Sequence, residues 1–443
     1  MQEHTDVNFK TNWQIQQKGL RLNKIVVSEN KMENNPTGKA SPGREFVSSL
    51  TLAFSSTYVI EFITGLFLLD ITMAFFGSSE PVSVALTSQL VTISSIVTVI
   101  AGLLMGILSV RFSRKALLII GILCVTVGVL GCSLAPDFVF MQIFYPMEGI
   151  GTIVVSAMSF ALIGELLAVS KRGKATGWII AGAPMIGISG TLVTWFFFTD
   201  VGSWRYFLLW FALPISLAAL ISAFFWVPSS LHKPLGTFRK EAYLRSFKQV
   251  FLKRSSAGCL IGNMIRHAGL AWGVFGITFF RTQFGLSLGS AALLALGGAI
   301  VNVIASITGG QLVNKFGRKF LLVITLLVSS PCIVLLPFLP NLWIALLIHW
   351  SGSFTYLMGF PASVGLTLEQ APDSRGMMMS MNGIFLALGY GLGTVLGGTA
   401  LALFNYTGAV LTFAGLGFVA VTVYFFMTKD PSITMQRLLR REN

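Results

Sequence analysis

An all-α integral membrane protein, with about twelve transmembrane helices in two related halves, is the fold class that this sequence predicts. Three observations carry it: few charges, apolar runs of membrane-spanning length, and a motif that occurs twice about half a chain apart. Only 11% of the 443 residues are charged and 54% are hydrophobic, with a mean hydropathy of +0.77. Soluble domains carry roughly 25% charged residues. A run of about 20 apolar residues, at ~1.5 Å per residue, crosses a hydrocarbon core of roughly 30 Å.

In chain order, residues 1–48 (MQEHTDVNFK…SPGREF) are too polar and too long before the first apolar run for a signal peptide, and read as a disordered cytoplasmic tail. An N-terminal six-helix bundle is expected over 49–227, with spans at 52–76, 84–108, 115–134, 138–166, 175–198 and 205–227. The basic stretch 228–255 is the only long internal connection, hence a cytoplasmic linker and the domain boundary. A C-terminal bundle is expected over 256–428, with spans at 256–280, 288–313, 319–338, 341–367, 377–403 and 406–427, followed by a cytoplasmic tail at 429–443.

A net charge of +14 would point to nucleic acid in a soluble protein, so the placement of the bases decides its meaning. Of 31 Lys and Arg, 28 fall in the two tails, the linker, Arg111–Lys115, Lys171–Lys174, Lys315–Lys319 and Arg375, all on one side if the spans alternate. Only Arg205, Arg266 and Arg281 remain. The positive-inside rule then puts both termini in the cytoplasm of a plasma-membrane protein, with lipid headgroups rather than nucleic acid as the anionic neighbour. The four cysteines sit in apolar runs without metal-ligand spacing, so no metal is expected. The 45 glycines suit closely packed membrane helices.

The repeat lies in "GILSVRFSRKALL" from Gly106 and "GQLVNKFGRKFLL" from Gly310, at an offset of 204 residues. "KRGKATG" around Arg172 and "SRGMMMS" around Arg375 form a second pair, 203 apart. These residues carry a resemblance. The loop motif of Gly106, Arg111, Arg114 and Lys115, its copy at Gly310, Lys315, Gly317, Arg318 and Lys319, "WRYF" at Trp204–Phe207, and the R-G pairs resemble the major facilitator superfamily. The general look is closest to the twelve-span drug/proton antiporters.

That resemblance implies two six-helix bundles related by a pseudo-two-fold axis, rocking about a central site lined by spans 1, 4, 7 and 10. It also implies gating roles for the loop bases. Five positions depart from the family pattern: Val110 and Asn314 replace the loop acid, Ser113 the loop glycine, Tyr145 a span 4 arginine, and Thr191 a proline of the span 5 antiporter motif. Gly182, Gly187 and Gly190 of that motif remain as helix-packing positions.

The embedded charges are independent of any motif. An Asp near a span centre costs roughly 2.5–3.5 kcal/mol to insert, against a gain of about 0.3–0.6 for each Leu, Ile, Phe or Val. Ionisable residues well inside the expected spans, away from their ends, are Glu61 and Asp70 in span 1, Glu148 in span 4, Arg266 and His267 in span 7, and His349 in span 10. All six fall on the four presumed cavity helices, as candidates for proton or substrate coupling.

Glu61 and Arg266 precede the two motif glycines by 45 and 44 residues, which predicts a cross-bundle ion pair between them. Nine residues separate Glu61 from Asp70, half a rotation, so the two project from opposite faces, and a helix–helix contact is the alternative role for Asp70. Glu148 either contacts proton or substrate or bonds the neighbour that Gly149 and Gly151 let approach. His267 and His349 are proton carriers or neutral interhelical bridges. Glu165 is expected to pair with a base in a gate. Tyr145, Trp272, Trp350 and Tyr356 offer stacking surfaces on the cavity helices.

The leading functional expectation is a monomeric secondary transporter: proton-coupled export of small amphipathic molecules by alternating access. Import of an organic anion at Arg266 and His267, or a receptor that does not transport, are the alternatives. No nucleotide-binding loop, paired-His metal motif or nucleophile–base set occurs, so neither a cofactor nor enzymatic activity is expected.

Overall fold

The computed structural model describes residues 43–167, 169–197, 203–228, 248, 250–371 and 374–430. Of the expected tail 1–48, residues 1–42 lie outside the described residues, as do most of the linker and the segment 431–443, while residues 44–48 are helical rather than disordered. The described chain is helical, without strands.

Span 1 begins at Arg44, eight residues before the expected 52, and consists of α1 (Arg44–Thr57) and α2 (Val59–Phe76). Spans 2 and 3 are α3 (Pro81–Arg111) and α4 (Arg114–Ser133). Span 4 comprises α5 (Phe138–Phe144) and α6 (Pro146–Leu166), and span 5 is α7 (Val169–Phe197). Span 6 joins α8 (Ser203–Phe207) through a π-helical turn to α9 (Leu213–Trp226).

In the second half, span 7 is α10 (Arg254–Leu270) and α11 (Trp272–Phe284), and spans 8 and 9 are α12 (Leu288–Phe316) and α13 (Arg318–Leu335). Span 10 is α14 (Leu342–Met358) and α15 (Phe360–Gln370). Spans 11 and 12 are the two limbs of α16 (Arg375–Met427), which bends at Phe404 and Asn405. Asn405 takes φ 59° and ψ −165°, a strained conformation that glycine usually fills.

Nine helical stretches among the described residues are long and apolar enough to cross a membrane, the whole of α16 counting as one. Dividing α16 at its bend and adding the broken spans 7 and 10 recovers twelve. Those two fall short of the others because their polar residues lower the hydropathy of the run.

The interruptions have a pattern. Spans 1, 4, 7 and 10 each break once, at Tyr58, Tyr145, Ala271 and Gly359. Pro146 and Pro361 supply no backbone N–H at two of the breaks. At Tyr58 and Ala271 the N–H turns to the carbonyl three residues back, Ser55 and Ala268, tightening the helix there. Irregular backbone at membrane depth is tolerated where protein buries it or a cavity hydrates it. The four broken spans therefore surround the centre.

The halves meet along span 2 with span 11, span 5 with span 8, and the outer segments α2 with α11. Gly65 lies against the Gly273 carbonyl, 3.5 Å from where a Cβ would stand, which lets α2 and α11 cross closely. No comparable packing joins α1 to α10, the segments nearer the basic loops. The structure is thus closed at the end opposite those loops.

Candidate functional site

Two layers of polar side chains lie in the closed half of this interface. The outer layer is an ion pair. Asp70 near the end of α2 accepts from Nη1 of Arg281 and, at 3.1 Å, from its Nη2. Asp70 is 3% exposed, so the pair is a desolvated link between the halves, a stronger contact than the packing role considered for it. Arg281 lies one residue past the expected end of span 7, so it escaped the set of embedded charges.

The inner layer surrounds Glu61. Its side chain lies within reach of the Tyr390 hydroxyl of span 11, so Glu61 does face the other half. One turn along, Thr64 Oγ1 donates to the Glu61 carbonyl at 2.9 Å and accepts from the Tyr145 hydroxyl at 3.0 Å. A further turn along span 4, Glu148 accepts from Ser94 Oγ at 3.2 Å and Thr152 Oγ1 at 2.8 Å. Neither Glu61 nor Glu148 has a basic partner within 4.0 Å among the described residues. Glu148 is buried and Glu61 half-buried, each within electrostatic reach of the other.

Gly149 makes the Glu148 contacts possible: a Cβ there would stand 2.7 Å from the Ser94 carbonyl and 2.3 Å from Thr98 Oγ1. Gly149→Val should therefore overpack the α3–α6 contact and destabilise the protein by about 1–3 kcal/mol, read as a lower midpoint of thermal unfolding in detergent.

The expected Glu61–Arg266 ion pair is absent from this conformation. Arg266 instead lies over the rings of Tyr356, at 4.5 Å, and Phe360, at 5.6 Å, within its own half. Its Nη2 donates to the Tyr356 carbonyl at 3.2 Å, while the Tyr356 hydroxyl donates to the Arg266 carbonyl. Equal depth in the repeat fixes the level of a residue but not its bearing around the helix. His267 is the adjacent, half-buried residue.

Between the halves lies a cavity of about 270 Å³, lined by spans 1, 5, 7, 8 and 10. His349, Trp350, Asn302, Ser353 and Thr191 supply its polar atoms, and Phe62 and Phe280 much of its apolar wall. His349 meets the Phe280 ring edge-on at 5.2 Å. Of the four aromatics proposed for the cavity, Trp350 lines it, Tyr145 belongs to the acid cluster and Tyr356 to Arg266. Trp272 is a correction: it packs between Phe279 and Phe413, because it sits one residue, about 100°, round the helix from cavity-lining Gly273. Span 4 residues also miss this cavity and lie in the acid cluster instead.

The loop motif acts inside each half. Arg114 pairs with Glu165 at 2.6 Å and donates to the Ala161 carbonyl at 3.0 Å, while Lys115 donates to the Phe224 carbonyl at 2.7 Å. The copy repeats this with Arg318 paired to Glu369 and Lys319 donating to the Phe425 carbonyl at 2.7 Å. Glu369 was not among the expected residues, yet it stands 204 residues after Glu165, the offset that relates the two motifs. Arg111, Lys315 and Gly310 sit in the last turns of α3 and α12, and Gly317 takes φ 82° between α12 and α13. Arg172 donates Nε to the Leu167 carbonyl at 3.0 Å. The side chains at Gly106, Val110, Asn314 and Arg375 lie outside the described residues. Gly182 packs on α1 at Ser55, Gly190 on Phe62 of α2, and Gly187 faces Ala299 of the other half.

This arrangement of two bundles around broken helices agrees with the sequence comparison. A family model described as Major Facilitator Superfamily matches residues 49–280 and again 267–441. The chain belongs to the Major Facilitator Superfamily. It is accordingly a multi-pass membrane transporter of small molecules. An uncharacterised transporter of that superfamily from Bacillus subtilis, YceJ, is 24% identical over 86% of this chain and 97% of its own. Multidrug resistance protein 1 of Bacillus subtilis is 25% identical over 65% of this chain and 73% of its own. Among solved structures, a D-xylose–proton symporter superposes with a TM-score of 0.71 at 19% identity, over 87% of this chain and 98% of its own, which shows the shared major facilitator fold.

Proposed function

We propose that this major facilitator protein is a proton-coupled exporter of small amphipathic compounds, working as a monomer in the plasma membrane with both termini cytoplasmic. One observation carries the proton coupling: Glu148 is buried and Glu61 half-buried at mid-span, beside hydroxyl groups and without a basic partner among the described residues. An acid at that depth meets different water and different neighbours as the halves rock, and its hold on a proton changes with them. Glu61 faces Tyr390 across the interface, so rocking the halves apart exposes it and closing them covers it. Proton uptake and release are thereby tied to the conformational cycle. The multidrug relative supports export, and the apolar, ring-lined cavity supports amphipathic cargo.

The test is a substrate-panel flux assay in proteoliposomes with an imposed pH gradient. Efflux-direction movement driven by inward protons supports the reading; uptake in the direction of the protons would make the protein an importer. Tyr390→Phe should keep the protein folded and weaken coupling, seen as fewer protons moved per substrate in the same vesicles.

A further inference from the structure

We propose that Arg266 is the anion-binding group of the central pathway, and that the substrate carries a carboxylate on an apolar, ring-sized body. The inference deepens the transport reading by naming the substrate class of the same cavity. Arg266 is 1% exposed, yet its Nε and Nη1 have no hydrogen-bond partner among the described residues, and no acid lies within 4.0 Å. One backbone carbonyl and two ring faces are all that meet its charge. Burying a cation without an anion is costly, and ring faces offset only part of that.

The position of Arg266 supplies the link to the cavity. Gly273, Ile277 and Phe280 of α11 line the cavity, and Arg266 belongs to α10, the preceding segment of the same span, across the break at Ala271. On span 10, His349, Trp350 and Ser353 line it, and Tyr356 is the next residue of that stripe. Tyr356, with Arg266 over its ring, therefore lies next beyond the cavity wall toward the basic-loop end. A carboxylate there would accept from the unpartnered donors by charge-assisted hydrogen bonds. The wall formed by Phe62, Phe280 and Trp350 takes the apolar body, and like charge excludes a cationic one.

The experiment uses the full chain purified in detergent and three probes of one ring: benzoate, benzamide and benzylammonium. Radiolabelled benzoate should bind saturably and be displaced by unlabelled benzoate but by neither of the others. Arg266→Gln should weaken benzoate binding roughly tenfold or more, and Arg266→Lys should restore part of it. Absence of saturable benzoate binding, displacement by benzamide, or wild-type affinity in Arg266→Gln would each overturn the proposal. If Arg266→Gln does not fold, the competition series on the wild type decides alone. No gradient enters this assay, so its failure leaves the proton coupling standing, and loss of gradient-driven flux with benzoate binding intact would count against the coupling instead.

Discussion

Glu61→Gln should abolish gradient-driven transport while leaving a protein that inserts and folds. Glutamine keeps the size of the side chain and an acceptor for Tyr390, so the contact between span 1 and span 11 survives. It removes the group that takes up and releases a proton. The expected result is loss of accumulation against a gradient, by two orders of magnitude or so if about 3 kcal/mol of coupling is lost. Exchange of substrate without a gradient should persist. Glu148→Gln should be milder, because Ser94 and Thr152 hold Glu148 within the first half, where rocking of the halves disturbs it less. Retention of full coupling in the Glu61 variant would end the role given to it here.

The second large effect is expected at the outer ion pair. Removing one partner of a buried pair costs about 3–5 kcal/mol in the state that holds it. Asp70→Asn or Arg281→Met should therefore shift the population away from the closed arrangement by roughly two to three orders of magnitude. A cysteine introduced as Ser353→Cys on the cavity wall, with the four native cysteines replaced by alanine, reports the shift. A membrane-impermeant thiol reagent applied from the side opposite the basic loops should label it slowly in the parent and rapidly in either variant. Combining Asp70→Arg with Arg281→Asp should restore slow labelling. Equal labelling in all four proteins would remove the latch role from this pair.

Insertion cost made much of this legible in the sequence. The apolar runs and the doubled loop motif give the spans and the two halves, since hydrocarbon leaves a chain no other way to satisfy its backbone. The same cost singled out Glu61, Asp70, Glu148 and Arg266 as residues needing a reason. Their partners were less legible. The repeat placed Glu61 and Arg266 at one depth, whereas Tyr390 and Arg281 met the two acids through the bearing of each helix, which no linear spacing encodes. Arg281 also lies just past the apolar run, so its depth was invisible to hydropathy. The breaks divide in the same way. Those beside Pro146 and Pro361 can be read from the chain, while those at Tyr58 and Ala271 have no proline beside them to mark them. Glu369 was readable from the 204-residue offset, but it falls two residues beyond the expected end of span 10.

The central claim is that proton movement and conformational exchange share one group, Glu61. Its most direct test is internal pH in proteoliposomes that trap a pH-sensitive dye and a transported compound, followed after dilution into compound-free buffer. Efflux should acidify the lumen of wild-type vesicles, while Glu61→Gln vesicles should lose the compound with no pH change. Equal acidification in both would contradict the account.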